Sequence, residues 1–233
     1  HIRVLDMSRI LAGPWCGQTF ADLGAEVIKI ERPGVGDDTR GWGPPFMADR
    51  DGVETDVAAY FLSANRGKKS VTVDITKPEG QDLIRKLAAE CDVLIENYKV
   101  GGLKKYGLDY DSLSKVNPGL VYCSITGFGQ TGPLSSMQAY AHLINAISGM
   151  MDLDRGGGAE PRAQYLQAAD VLAGTQAFGA ICAALLRRSR TDEGATLDIS
   201  MLECLIAADD ITYQSLLNGG KVERRPRAGM VVH

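Results

Sequence analysis

A chain of 233 residues with 45 % hydrophobic and 23 % charged content has the composition of a globular protein with one large core, or one core and the start of a second domain. Its formal net charge of −4, without a run of like charges, leaves no electrostatic footprint for nucleic acid or an anionic membrane. The five cysteines, Cys16, Cys91, Cys123, Cys182 and Cys204, are odd in number, widely spaced and free of any CxxC pair, so they read as small buried hydrophobes in a reducing compartment. No signal-peptide pattern and no apolar run of membrane-spanning length is read, which makes a cytoplasmic location the expectation. His1 stands directly before a strand and His233 directly after an apolar run, so both ends read as cut.

In chain order, residues 4–7 (VLDM) form a buried strand and Gly13-Pro14 opens a helix that runs to Gly24. A second strand, residues 26–32, ends in the charged turn Glu31-Arg32-Pro33-Gly34. Such a unit pairs two parallel strands through a right-handed crossover, and the helix N-terminus then lies at the carboxyl end of the first strand. Amides exposed there suit an anion. Residues 33–57 carry glycine, proline and acidic residues without periodicity and read as a long loop. Residues 69–75 (KSVTVDI) are the next strand, followed by Thr76-Lys77-Pro78-Glu79 as a capping box with proline in the first turn. Leu83, Ile84, Leu87, Ala88 and Cys91 then fall on one helical face.

Residues 92–98 and 120–126 are further buried strands. Residues 152–163, with three consecutive glycines, read as a mobile loop. Residues 171–188 make a helix rich in alanine and glycine. Glycine inside a helix costs about 1 kcal/mol against alanine, so Gly174 and Gly179 point to close packing of neighbouring backbones. Residues 195–201 are the last strand, and 202–217 one more helix, broken by Gly219-Gly220. The basic segment that follows, with Arg224-Arg225-Pro226-Arg227, reads as an exit toward a second domain. The alternation gives an α/β fold: a mostly parallel Rossmann-like sheet with helices on both faces. Residues 1–217 are the large α/β domain and 218–233 the start of a linker to a smaller one.

Three groups of residues bear on chemistry. Asp170, between Ala168-Ala169 and the 171–188 helix, reads from the residues alone as an N-cap carboxylate or as a positioned nucleophile with room for an incoming ester. The cations Arg32, Arg40, Lys68-Lys69 and Lys104-Lys105 fall just past strand ends or at helix starts. Singly each reads as a solvated residue; together they read as an edge for a phosphorylated ligand. In Tyr140-Ala141-His142 the imidazole opens a helix. No GxGxxG opens a helix after a strand, GxxxxGK[ST] is absent and no GxSxG occurs, which disfavours a nicotinamide reductase, a P-loop nucleotidase and an elbow-type hydrolase.

Residues 4–43, VLDMSRILAGPWCGQTFADLGAEVIKIERPGVGDDTRGWG, resemble the start of the class III CoA-transferases. That family includes formyl-CoA and carnitine-related CoA-transferases and the 2-methylacyl-CoA racemases. The resemblance extends from Ile2 to about Arg227 and includes the segment ATLDISM. It implies that Asp170 is the catalytic nucleophile, reached by way of an aspartyl-CoA thioester. It further implies that Leu11, Ala12, Arg32, Asn65, Lys68, Asn97, Tyr98 and Lys105 line the CoA groove, with Tyr140 near the thioester. Lys105 stands where the family often has arginine. Leu11 and Gln138 stand where formyl-CoA transferases have glutamine and lysine, which argues against formate and oxalate. The racemases place a His-Asp pair at Tyr140-Ala141, and here no acid follows.

The implied activity is transfer of CoA between an acyl-CoA and a small carboxylic acid. DDTRGWGPPF and YCSITGFGQTGP are similar to members acting on succinate and glutarate. Coenzyme A enters as acyl-CoA substrate, and no metal, nucleic acid or membrane is implied. The implied assembly is an interlocked homodimer whose second, smaller domain lies largely outside this chain. A 2-methylacyl-CoA racemase and a non-catalytic CoA-binding subunit remain the alternatives.

Overall fold

The computed structural model describes residues 1–154, 160–161 and 166–219. Its elements run β1 (Arg3–Asp6), α1 (Ala12–Asp22), β2 (Glu26–Glu31), β3 (Phe46–Ala48), β4 (Glu54–Ala58), α2 (Ala59–Asn65), β5 (Lys69–Thr72), α3 (Pro78–Glu90) and β6 (Val93–Glu96). They continue with α4 (Tyr110–Leu113), β7 (Val121–Thr126), α5 (Ala141–Ile147), α6 (Met150–Asp154), α7 (Ala168–Thr191), β8 (Ala195–Ser200), α8 (Met201–Ala208) and α9 (Asp210–Leu217). Six strands form one parallel sheet in the order β5-β2-β1-β6-β7-β8. With its strands counted along the chain, this is the doubly wound dinucleotide-binding order.

Burial on both faces explains the strand sequences. Val93, Leu94 and Ile95 of β6 and Val121 and Cys123 of β7 have no exposure at all, so neither strand alternates. One core forms under α1, α7 and α8, around Val4, Cys16, Cys123, Ala173, Ala177 and Ile181. The other lies under α3 and α4, around Leu5, Ile84, Ala88, Leu94 and Leu108. Gly24 stops α1 with φ at +91°, a turn that glycine enters without a Cβ penalty.

The structure corrects several expectations. The 33–57 stretch is not one loop: a 3₁₀ turn at Asp38–Gly41 leads into the antiparallel β3–β4 hairpin. The capping box at Thr76 does not form. Asp74 takes both the Thr76 amide at 3.0 Å and its hydroxyl at 2.6 Å, and Lys77 caps α3 without a side-chain bond. Leu83 is exposed, because the buried stripe of α3 is the narrower Ile84–Ala88 row. Cys182 is also exposed, on the outer face of α7. The 202–217 helix is two helices separated at Asp209, and the 152–163 stretch begins inside α6. Residues 155–159 and 162–165, and the basic segment from 220 onward, lie outside the described residues. Among the described residues one helix, α7, is by length and composition apolar enough to cross a membrane, contrary to expectation. Ala169, Ala173, Ala177 and Ile181 on it are buried in the core.

Candidate active site

The strand order reverses direction between β1 and β6, since the chain leaves β1 toward β2 on one side and adds β7 and β8 on the other. Open α/β sheets bind ligands in the crevice at that point. Here the crevice is a cavity of about 440 Å³. Residues 9–12 after β1 and 97–100 after β6 form two of its walls. Residues 135–142, ahead of and into α5, and Gln167 with Asp170 at the start of α7 form two more.

Asp170 is not the N-cap of its helix. Ala168 and Ala169 are already helical, Gln167 holds the cap position, and the carboxylate lies in the first turn. Burial pushes its carboxyl up to about 6, against the opposing pull of the Ala12 amide, its own amide and His142. The Ala12 amide reaches it because α1 and α7 cross closely. A Cβ on Gly174 would lie 2.6 Å from the Ala12 carbonyl oxygen and 3.1 Å from Trp15 Cβ, so only glycine permits this approach. Tyr60 shares the cavity, and its phenol is raised by burial and by the charge of Asp170. Trp42 packs edge-on against it at 5.3 Å.

The structure brings Leu11, Ala12, Asn97, Tyr98, Tyr140 and Asp170 together on this cavity. It puts Arg32, Asn65, Lys68 and Lys105 elsewhere. The Lys68 side chain is 1 % exposed and spends its three N–H donors on Asp6 at 2.7 Å, Pro14 O at 2.8 Å and Asn65 Oδ1 at 3.0 Å. Asn65 completes its amide on Phe61 O, so both residues are interior and neither faces the cavity. Arg32 is half exposed and pairs with Asp38 at 2.9 Å beside a shallower cleft. Lys105 lies over the Tyr106 ring. Arg40 of the same cationic set is committed to Glu31 at 2.6 Å.

Sequence reasoning missed Arg9, Lys99, Tyr60 and Trp42, all of which line the cavity. Lys99 stands one position beyond Tyr98 and Arg9 two positions beyond the first strand as read, and that placement was a usable signal. Trp42 comes from the segment read as loop, and Tyr60 from the stretch just after it, for which no element was read. Among the described residues, no group of three or more His, Cys, Asp or Glu side chains is placed to hold a metal ion.

The family model described as CoA-transferase family III matches residues 1–231. The chain belongs to CoA-transferase family III. Among similar proteins of this family, the succinate–glutarate CoA-transferase of Agrobacterium fabrum is 48 % identical over 215 residues, covering 91 % of this chain and 54 % of that protein. The succinyl-CoA:glutarate CoA-transferase of Mus musculus is 44 % identical over 224 residues, covering 96 % of this chain and 50 % of that protein. The chain thus spans about half the length of the curated relatives it matches. Crystal structures agree in shape. A CAIB/BAIF family protein from Brucella suis superposes with a TM-score of 0.91 at 47 % identity, over 96 % of this chain and 58 % of that one. Rv3272 from M. tuberculosis gives 0.82 at 34 % identity, over 93 % of this chain and 57 % of that one. In this family III chain, then, the cavity at the reversal point is lined by Asp170 from the first turn of α7.

Proposed function

We propose that this chain is the large CoA-binding domain, residues 1–217, of an acyl-CoA:carboxylate CoA-transferase acting on short dicarboxylates such as succinate and glutarate. The substrate class is supported by the names of the relatives above. The mechanism is supported by one observation: a carboxylate held in the first turn of α7, inside the cavity and facing the Ala12 amide. Such a group is oriented, partly desolvated and open to a planar thioester.

Asp170 attacks the thioester carbonyl of the donor, and CoA leaves as thiolate, giving a mixed anhydride. The thiolate then attacks the aspartyl carbonyl of that anhydride, forming an aspartyl-CoA thioester and releasing the donor acid as carboxylate. The acceptor carboxylate attacks this thioester and expels the thiolate, which closes on the acceptor acyl carbon of the new anhydride and frees Asp170. Amides at the start of α1 stabilise the oxyanions that develop on the way. Arg9 and Lys99 supply positive charge for the anionic substrates. Leu11, Asn97, Tyr98 and Tyr140 shape the wall around the thioester. Arg32 and Lys105, outside the cavity, serve the distal phosphates of CoA, whereas Asn65 and Lys68 support the β1–α1 junction from within. The working enzyme is an interlocked homodimer in the cytoplasm, completed by a smaller domain after residue 217.

The test uses the full-length protein. Asp170→Asn folds, binds CoA and loses transfer almost completely. Wild type mixed with succinyl-CoA gains a CoA-sized mass on the peptide containing Asp170, removable by hydroxylamine. Substantial transfer by the asparagine variant, or an adduct mapped elsewhere, overturns the assignment.

A further inference from the structure

The main chain between β1 and α1 is bound almost entirely by side chains. The Ser8 amide donates to Asp6 at 3.0 Å, and its carbonyl accepts from Lys29 Nζ at 2.9 Å. The Arg9 amide donates to Asn97 Oδ1 at 2.9 Å, and its carbonyl accepts from Asn97 Nδ2 at 2.7 Å. The Ile10 amide faces both oxygens of Asp37 at 3.3 Å. Lys29 and Asp37 themselves pair at 2.9 Å with side-chain exposures of 1 % and 0 %. A buried ion pair is a poor source of stability, because its desolvation offsets its attraction.

What this arrangement encloses is unusual. Ile10 has φ at +70°, the left-handed region that a β-branched residue avoids. Glycine would take that conformation without restraint, but isoleucine also contributes its side chain to the cavity wall. The next residues along the chain, Leu11 and Ala12, line the cavity together with Asp170. Backbone strain held by surrounding structure at such a place belongs to the reactive geometry.

We propose that Lys29, Asp37 and Asn97 are positioning residues: they clamp Ile10 in its left-handed turn so that the Leu11–Ala12 amide edge faces Asp170. None of the three carries the chemistry itself. The proposal rests on the reading of Asp170 as nucleophile and adds the device that aims the anion-stabilising backbone at it. Because Arg9 is bound on both its amide and its carbonyl, the same clamp also fixes the backbone of a residue that lines the cavity and whose guanidinium pairs with Asp38 at 2.8 Å.

The test compares Asn97→Ala and Lys29→Met, each with and without Ile10→Gly, in the full-length enzyme. The readouts are kcat and KM for succinyl-CoA with glutarate, and the titration of the Asp170 carboxyl followed by carbon-13 NMR. His142 and Tyr60, the other ionisable groups acting on Asp170, are unchanged in every variant. Misaimed amides lower kcat by about 10–100-fold. They also move the Asp170 midpoint upward, since a hydrogen bond to its charged form is lost. Adding Ile10→Gly recovers about 10-fold of the lost kcat, because glycine keeps the turn without the clamp. If Lys29→Met does not fold, Asn97→Ala, whose side chain is only part-buried, decides alone. Unchanged kcat and titration in folded Asn97→Ala, or a loss that Ile10→Gly leaves untouched, overturns the clamp. Transfer by Asp170→Asn would remove the nucleophile instead, and the NMR titration reads the clamp independently of turnover.

Discussion

The carboxyl of Asp170 is held at a thermodynamic disadvantage, and its size follows from the structure. Burial raises the folded-state carboxyl from its ordinary value of 3.8 to about 6. That rise corresponds to roughly 3 kcal/mol of extra cost for the charged form in the folded protein. The sign is fixed by linkage. A carboxyl whose folded value is raised favours the folded state fully below the unfolded value, and loses that advantage as pH rises through about 6. Asparagine keeps the shape, still accepts from the Ala12 amide and carries no charge at any pH. Asp170→Asn is therefore expected to be more stable than wild type by about 2–3 kcal/mol at pH 8, with the gap roughly halved at pH 5 and closed below the unfolded carboxyl range. Urea unfolding of both proteins at these pH values measures it. A variant that is less stable than wild type at pH 8, or a difference independent of pH, would refute the claim that the site holds this carboxylate against solvation.

Two further outcomes follow from particular contacts. Gly174→Ala adds a methyl 2.6 Å from the Ala12 carbonyl oxygen, a backbone atom that cannot swing aside. Overpacking of about 1–3 kcal/mol then outweighs the helix-propensity gain of about 1 kcal/mol, and urea unfolding should show a net loss. Glu31 is held down at about 2: burial alone would raise its carboxyl, but Arg40, Ser70 and the Asp37 amide together outweigh it. Its contribution is present above the unfolded value of 4.5 and is lost as pH falls toward 2, so wild type should lose about 2–3 kcal/mol more than Glu31→Gln across that window. Equal acid sensitivity of the two proteins in urea titrations would count against the Glu31 network.

The central strands were legible because burial on both faces leaves them as β-branched runs, and the helices because their apolar spacing matches one face. What escaped reading depended on partners far away in the chain. Lys68 looks like a solvated cation past a strand until Asp6, at the end of β1, is brought against it. Thr76 has the spacing of a capping residue, but Asp74, two positions earlier, captures its amide and hydroxyl. The β3–β4 hairpin carries no period because it is short and largely exposed, so neither face is selected for apolarity. At the site, the segment after β1 and Asp170 could be found from the sequence. Tyr60 and Trp42 could not, since only the fold carries the 42–60 region over the cavity.

The pull that Ala12 exerts on the Asp170 carboxylate comes from a main-chain amide, and that has a consequence for how this site can change over generations. A side-chain donor is lost with a single codon; the Ala12 N–H survives replacement by any residue except proline. Leu11 and Ile10, which shape the cavity wall, can therefore vary in size and polarity while the group facing the carboxylate persists. The cavity wall and the amide that faces Asp170 are thus written in different parts of the same residues, so the wall can drift in size and polarity without loss of that amide.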